Sequence, residues 1–409
     1  MHPRSPLAPE RFPDLPAIAG VRLAAGCTGM RYQGRDDLMV AELAPGSTVA
    51  GVFTRSLTAS PPVEWCRKQV RRGKVRAIVV NAGNANTFTG RHGRDAVAAT
   101  AARTAKLLGC APNDVFVAST GVIGVKLPVE KIVDTLPAVQ RALSPSAWEP
   151  AAKAIMTTDT FAKGATRRAE IGGVPVTING ICKGSGMIAP DMATMLAFVF
   201  TDAKLPAGVL QKLLAAGVDR SFNCITVDGD TSTSDTVLLC ATGQAKHKRI
   251  VAANDPALAD FRAKLNDLLL DLAHQIVRDG EGAQKFVTIK VTGAASAKAA
   301  RKIGLAIGNS PLVKTAIAAA DANWGRIVMA VGKAGEKADR DKLEIRIGGV
   351  QITRNGEVVP GYDEAPVARH MQGREIEIEV DVGVGRGRAT VWTCDLTHAY
   401  IDINGSYRS

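Results

Sequence analysis

Short apolar runs recur along this chain and are separated by stretches in which apolar residues follow a helical period. The short runs predict β-strands, and their alternation with amphipathic helices predicts an α/β protein. The predicted strands cover residues 76–81, 114–119, 174–182, 195–200, 236–241, 286–291, 344–352 and 375–381.

Two helices are marked by their ends as well as by their period. Apolar residues at three- and four-residue steps predict a helix over about 256–278, with Asp255 as its cap and Gly280 just past its end. Ser310 followed by Pro311 predicts the capped start of a second, shorter helix. No repeat and no linker composition is visible, so any division of the chain has to come from chemistry.

The composition is that of a folded protein without membrane segments. Of 409 residues, 46% are hydrophobic and 22% are charged, which is typical of globular domains. No apolar run reaches the roughly 18 residues of a membrane helix, and the proline-rich start does not resemble a signal peptide. The seven cysteines are odd in number and form no CxxC pair, which indicates reduced thiols. We therefore expect a cytoplasmic protein.

The net charge of +12 raises the question of nucleic-acid binding, because a basic surface attracts phosphate. The basic residues are dispersed, however, and aromatic residues make up only 4% of the chain, which is poor material for base stacking. A solvated basic face or acidic small substrates explain the charge as well. We expect neither a nucleic-acid nor a membrane partner.

The most unusual segment is K-G-S-G-M-I-A-P-D-M-A-T-M-L-A-F, residues 183–198. A glycine-rich loop with a lysine leads through a proline to Thr194, where an apolar strand is predicted to begin. A phosphate-binding loop is excluded because the Walker spacing is absent and a strand, not a helix, follows. Taken by itself, the pattern also describes an ordinary loop that feeds a strand.

This segment resembles the signature of the ornithine acetyltransferase family, the glutamate N-acetyltransferases of arginine biosynthesis. Eight further segments resemble family segments in the family's order, from about residue 20 to residue 409, too many for coincidence. They are V-V-N-A-G-N-A-N (79–86), A-S-T-G-V-I-G (118–124), M-T-T-D-T (156–160), I-T-V-D-G-D-T-S-T-S-D-T (225–236), D-G-E-G-A (279–283), N-S-P-L-V-K-T-A (309–316), D-A-N-W-G-R-I (321–327) and I-N-G-S-Y-R-S (403–409).

The resemblance implies layered sheets covered by helices, an α/β/β/α sandwich, and a precursor that cuts itself between Ala193 and Thr194. The products would be an α-chain (1–193) and a β-chain (194–409) that remain one folded body and pair further into an α2β2 heterotetramer or a larger assembly. The cut makes physical sense, because a threonine at the start of a chain can use its own α-amine, of pKa roughly 7.7–8.0, to take the proton of its hydroxyl.

The implied reaction is a ping-pong transfer. Thr194 takes acetyl from N-acetylornithine, ornithine leaves, and the amine of glutamate collects the acetyl group. Thr120 and Gly121, at the end of a predicted strand, match the family's oxyanion hole. The resemblance implies no metal and no organic cofactor, and it leaves open whether acetyl-CoA also serves as a donor.

The resemblance also implies which residues contact the substrate. They are Thr157, Lys183, Thr194, Glu281, Asn404 and the terminal Ser409. Glu281 has an argument of its own, because it follows a long helix where carboxylates are disfavoured by roughly 0.3–1 kcal/mol. Either a substrate ammonium or a nearby lysine or arginine would relieve this.

Two other functions stay open at this point. An amidohydrolase or aminopeptidase with the same kind of N-terminal nucleophile would pass the acyl group to water instead of glutamate. A non-catalytic binding protein would remain uncut and form no covalent intermediate.

Overall fold

A computed structural model describes residues 3–189 and 195–405. Its strands, in chain order, are β1 (Val21–Gly26), β2 (Leu38–Leu43), β3 (Thr48–Phe53), β4 (Ala77–Asn84), β5 (Val115–Val122), β6 (Lys163–Ile171), β7 (Val174–Lys183), β8 (Leu196–Thr201), β9 (Thr236–Ala241), β10 (Phe286–Ala294), β11 (Glu344–Ile347), β12 (Val350–Arg354), β13 (Glu357–Val358), β14 (Glu375–Asp381) and β15 (Gly387–Cys394).

The helices lie between these strands and after them. They are α1 (Pro61–Gln69), α2 (Gly90–Leu108), α3 (Val129–Arg141), α4 (Trp148–Ala154), α5 (Ala207–Val218), α6 (Ala259–Arg278), α7 (Ala297–Gly308), α8 (Pro311–Ala318), α9 (Trp324–Gly332), α10 (Ala365–Met371) and α11 (His398–Asn404).

Two sheets lie face to face and carry helices on their outer sides. The first has the strand order β1-β2-β4-β5, and the second has the order β3-β9-β8-β7-β6. Apolar side chains of both sheets, among them Phe116 and Phe198, form one buried cluster between them. Helices α2 and α3 cover the outer face of the first sheet, and α5 and α6 cover that of the second. This α/β/β/α sandwich confirms the predicted fold class.

The third sheet has the order β13-β12-β11-β14-β10-β15 and packs with α7, α9 and α10 around a core of its own.

The second sheet joins strands from both sides of the predicted cleavage point. Strand β7 ends at Lys183 and pairs antiparallel with β8, which begins at Leu196. The segments before and after the predicted cleavage point therefore share one sheet.

Most of the predicted elements are present with ends shifted by a few residues. The side chain of Asp255 accepts a hydrogen bond from the Ala257 N–H and caps the helical segment that leads into α6, as predicted. The single strand predicted over 344–352 is wrong. Gly348 and Gly349 have φ values of 58° and 77°, which glycine adopts without strain, and they turn β11 back into β12 as a hairpin.

The second predicted helix start is correct in position but not in its bonding. Ser310 stands at the N-cap of α8 and Pro311 in its first turn, yet the Ser310 hydroxyl makes no capping hydrogen bond. None of the helices in residues 3–189 and 195–405 combines the length and the apolar character that crossing a membrane requires.

Candidate active site

One cavity of about 390 Å³ collects every predicted site residue that the structure describes. These residues come from five separate elements or loops and lie far apart in sequence. They are Thr120, Gly121, Thr157, Lys183, Glu281 and Asn404. The cavity is partly open, and its lining carries both a lysine and a glutamate.

The Thr120–Gly121 wall of the cavity is formed where two parallel strands end. Strands β4 and β5 pair in parallel, and their register is disturbed between Gly83 and Asn84. Gly121 has a φ of 130°, and a Cβ there would lie 2.3 Å from the carbonyl carbon of Gly83. Only glycine fits this close approach, which turns the backbone at the edge of the cavity.

Lys183, the last residue of β7, lies on another wall. Its ammonium donates a hydrogen bond of 2.8 Å to the hydroxyl of Thr157 and lies 3.8 Å from Oδ2 of Asp159. Although Lys183 is buried, it reaches the cavity surface. A cation beside a hydroxyl donor suits a carboxylate ligand.

Behind this wall lies a buried group of charges. The ammonium of Lys163 contacts Oδ1 of Asp159 at 2.6 Å and Oδ2 of Asp279 at 2.5 Å, and all three side chains are fully buried. Burial by itself raises the pKa of Asp159, but the charges of Lys163 and Lys183 outweigh it and hold that pKa well below its usual range. Asp159 is therefore a carboxylate although no water reaches it.

Glu281 lies on the wall formed after the end of α6. Its Oε2 accepts a hydrogen bond of 2.6 Å from the amide of Asn404, and its own N–H donates to the carbonyl of Ser185. The carboxylate packs against Gly186, where a Cβ would lie 2.3 Å from Oε2. At the end of α6, the cation that pairs with a carboxylate is Lys163, and its partner is Asp279. The carboxylate of Glu281 faces the cavity instead.

The loop after Lys183 is held by Asp228. Its carboxylate accepts hydrogen bonds from the N–H groups of Met187, at 2.6 Å, and Ile188, at 2.9 Å. Met187 has a φ of 57°, a left-handed conformation that is unfavourable for this side chain. Burial raises the pKa of Asp228, and the charge of Glu281 raises it further, whereas the backbone donors lower it.

The predicted nucleophile Thr194, the cleavage partner Ala193 and the terminal Ser409 lie outside the described residues. The described neighbours of the gap end at Ala189 and resume at Met195. The carbonyl of Met195 accepts a hydrogen bond of 3.0 Å from the N–H of Thr236, next to a segment that lines the cavity.

Nine further residues that the structure describes line the cavity, and the sequence alone does not single them out. They are Ala85, Val122, Ile123, Thr158, Gly186, Met187, Ser232, Thr233 and Ser234. All fall within segments that resembled the family, and that was the available signal. The dense run of hydroxyl residues within 225–236 was the strongest part of it.

Comparison with known proteins finds a family and relatives that match nearly the whole chain. The model of the ArgJ family matches residues 22–409. The arginine biosynthesis bifunctional protein ArgJ of Gluconobacter oxydans (strain 621H) is 61% identical over 407 residues, which cover 100% of this chain and 96% of that protein. The protein of the same name from Brucella suis biovar 1 is 56% identical over 408 residues, 99% of each.

A solved structure is similar as well. The crystal structure of the arginine biosynthesis bifunctional protein argJ from Bacillus halodurans matches with a TM-score of 0.50 and 41% identity, and the match covers 52% of this chain and 100% of that one.

Proposed function

This chain belongs to the ArgJ family, and from that premise we propose that it is a glutamate N-acetyltransferase of arginine biosynthesis. It moves the acetyl group from N-acetylornithine to glutamate and releases ornithine. The enzyme first cuts its own chain between Ala193 and Thr194.

The observation that carries this proposal is the pairing of opposite charges in one small cavity. Lys183 and Glu281 line the same space of about 390 Å³, together with Thr157 and Asn404. An amino acid carries both a carboxylate and an ammonium, so the cavity offers it one partner for each. Lys183 and Thr157 hold the substrate carboxylate, and Glu281 holds the substrate ammonium. Asn404 orients the side chain of Glu281.

Self-cleavage uses the hydroxyl of Thr194 on the carbonyl of Ala193. The acyl group shifts from nitrogen to oxygen, the amide bond breaks, and the nitrogen becomes the α-amine of Thr194. Water then opens the ester and releases the carboxyl end of the α-chain. A solved relative whose whole chain corresponds to 52% of this one has the length expected of a product cut near the middle.

Acetyl transfer uses the new amine as the base. The amine takes the proton of the Thr194 hydroxyl, whose oxygen attacks the acetyl carbonyl of N-acetylornithine. The negative charge on the carbonyl oxygen is stabilised by donors at Thr120 and Gly121, each typically worth about 10²–10³ in rate. The proton passes to the leaving ornithine amine. Glutamate's amine then attacks the acetyl ester and regenerates the hydroxyl.

The energy balance of the reaction, the location of the protein and its assembly complete the proposed function. Exchanging one amide for another is nearly balanced in energy, so positioning and exclusion of water suffice and no metal or organic cofactor is needed. The protein acts in the cytoplasm, and its α- and β-chains pair into α2β2 or a larger assembly. Acetyl-CoA is a second donor to be tested with the same assay.

Intact-mass measurement of the purified protein tests this function. The active protein should consist of fragments 1–193 and 194–409, and the second should read Thr-Met-Leu-Ala-Phe at its start. With N-acetylornithine alone, the 194–409 fragment should gain one acetyl group, and added glutamate should remove it as N-acetylglutamate.

The same experiment separates the alternatives. Free acetate released at a rate independent of glutamate would identify a hydrolase. A fully active single chain, or an acetyl group on a cysteine or lysine, would rule out the proposed nucleophile.

A further inference from the structure

We propose that Asp159, which does not line the cavity, is a positioning residue that orients Lys183 toward the substrate carboxylate. This inference rests on the proposed function, in which Lys183 binds that carboxylate. Asp159 then affects how the substrate carboxylate is bound, and not only the stability of the fold.

The carboxylate of Asp159 contacts Lys183 and the backbone of two residues beside it, Thr157 and Gly184. Its Oδ2 accepts the N–H of Thr157 at 3.0 Å and lies 3.8 Å from the Lys183 ammonium. Its Oδ1 accepts the N–H of Gly184 at 2.8 Å. One carboxylate therefore fixes the backbone on each side of the hydrogen bond between Lys183 and Thr157.

The distance of 3.8 Å between Oδ2 of Asp159 and the ammonium of Lys183 matters for substrate binding. It is an ion pair without a hydrogen bond in the normal range, so the Lys183 ammonium is attracted without being fully engaged. Its hydrogen bond goes to Thr157 instead, which leaves donors for a ligand, since an ammonium has three. The carboxylate thus attracts and directs the buried ammonium while leaving its remaining donors available.

Lys163 holds Asp159 from the other side. It pairs with Asp159 and Asp279, so two lysines and two aspartates stand together and their formal charges cancel. Asp279 also accepts hydrogen bonds from the N–H and hydroxyl of Thr160. With this support, the carboxylate of Asp159 stays fixed when a substrate carboxylate competes for Lys183.

A purely structural role and a positioning role predict different substrate effects. If Asp159 only stabilises the fold, its loss should slow all donors equally. If it orients Lys183, its loss should matter only for donors that carry a carboxylate. The two donors to compare are N-acetylornithine and N-acetyl-1,4-diaminobutane, which has the same acetylated amine and distal ammonium but lacks the carboxylate.

The test measures kcat/KM of acetyl-enzyme formation for both donors in wild type and in Asp159→Asn, which keeps the size of the side chain and removes its charge. We expect wild type to prefer N-acetylornithine strongly and Asp159→Asn to reduce that preference at least tenfold, mainly through KM. Equal losses with the two donors would overturn the inference. Such a residue–substrate cycle isolates their coupling.

The matched control is Asp395→Asn. Asp395 is also buried, and it accepts the N–H groups of Gln284 and Lys285, but it does not line the cavity. Its variant should keep the wild-type preference between the donors. The same tenfold fall of that preference in Asp395→Asn would also overturn the inference.

A second variant guards against misfolding, since removing one partner of a buried ion pair leaves the other charge uncompensated and is strongly destabilising. Asp159→Asn combined with Lys163→Met removes one charge of each sign and leaves Asp279 and Lys183 balanced. It should show the same reduced preference, and a wild-type preference in it would contradict the inference. If wild type itself formed no acetyl-enzyme with N-acetylornithine, the proposed function would fail instead.

Discussion

At the scale of single residues, Gly186 leaves the space that the carboxylate of Glu281 occupies. A methyl group at position 186 would lie 2.3 Å from Oε2 of Glu281, so that carboxylate has to move. We expect Gly186→Ala to lower kcat/KM for N-acetylornithine at least tenfold, because the displaced carboxylate no longer meets the substrate ammonium. Steady-state rates measure this. Gly208→Ala, where the new methyl would meet no atom within 4 Å beyond its chain neighbours and the backbone of its own helix, should keep the wild-type rate. Equal rates for both variants would contradict the prediction.

The charge of Glu281 can be removed without changing its shape. Glu281→Gln should leave self-cleavage intact and lower acetyl transfer at least tenfold, because an amide attracts the substrate ammonium far less than a carboxylate does. Denaturing gels report the two fragments, and initial rates report the transfer. Loss of self-cleavage together with activity would instead mark Glu281 as a structural residue.

At the scale of elements, helix α6 shows what local pattern can and cannot predict. Its period, its leading cap at Asp255 and its end near Arg278 follow from the sequence, because these signals are local. The partner of Asp279 does not, since Lys163 lies 116 residues away. The resemblance identified six cavity residues, but it said nothing of the buried charges behind them. No spacing along the chain encodes the contact of Lys163 with Asp279.

The hairpin of β11 and β12 shows two local signals that point to different structures. The apolar alternation on both sides of the turn reads as one strand over 344–352, and two adjacent glycines were the sign of a turn. Asp228, in the 225–236 segment, stabilises a turn by accepting the N–H of Asp230. It also accepts the N–H of Met187, 41 residues away, a contact that no local signal predicts.

His274 gives α6 a pH-dependent contribution to stability. It packs between the rings of Phe286 and Trp392. Burial, aided by repulsion from Arg278, lowers the pKa of its imidazole to about 4, whereas the unfolded value is about 6.5. Between these values the unfolded chain binds a proton that the folded chain excludes, so the free energy of unfolding falls as the pH drops from about 6.5 toward 4.

His274→Leu should therefore flatten this dependence, by an amount on the order of 2 kcal/mol. Urea unfolding at pH 7 and pH 5 measures it. The exposed His398, substituted as His398→Leu, should keep the wild-type difference between the two pH values. A wild-type difference in His274→Leu would show that other groups cause the acid sensitivity.

At the scale of the whole molecule, the predicted cut falls between two paired strands of one sheet. Strands β7 and β8 lie on opposite sides of it and are hydrogen-bonded from Lys183–Leu196 to Ile178–Thr201. Strand β3, which precedes the cut, pairs with β9, which follows it. Sequence periodicity predicts β9 itself but not this pairing, which joins residues far apart in the chain. Breaking one peptide bond leaves these contacts in place.

The fragments 1–193 and 194–409 should therefore remain together after cleavage and separate only on unfolding. Wild type and Thr194→Ala should elute at the same volume in native size-exclusion chromatography, while denaturing gels should show two fragments for wild type and one chain for the variant. Thr194→Ala lacks the hydroxyl, so it should be inactive, whereas Thr194→Ser should still cleave and retain some transfer.

Refolding from urea gives the sharper comparison. For cleaved wild type, regain of the native state requires two chains to meet, so its rate should rise with protein concentration. Thr194→Ala carries both parts in one chain, and its initial refolding should be independent of concentration. A folded 194–409 fragment that elutes alone under native conditions, or a wild-type refolding rate unaffected by dilution, would contradict the view that the two chains complete one sheet.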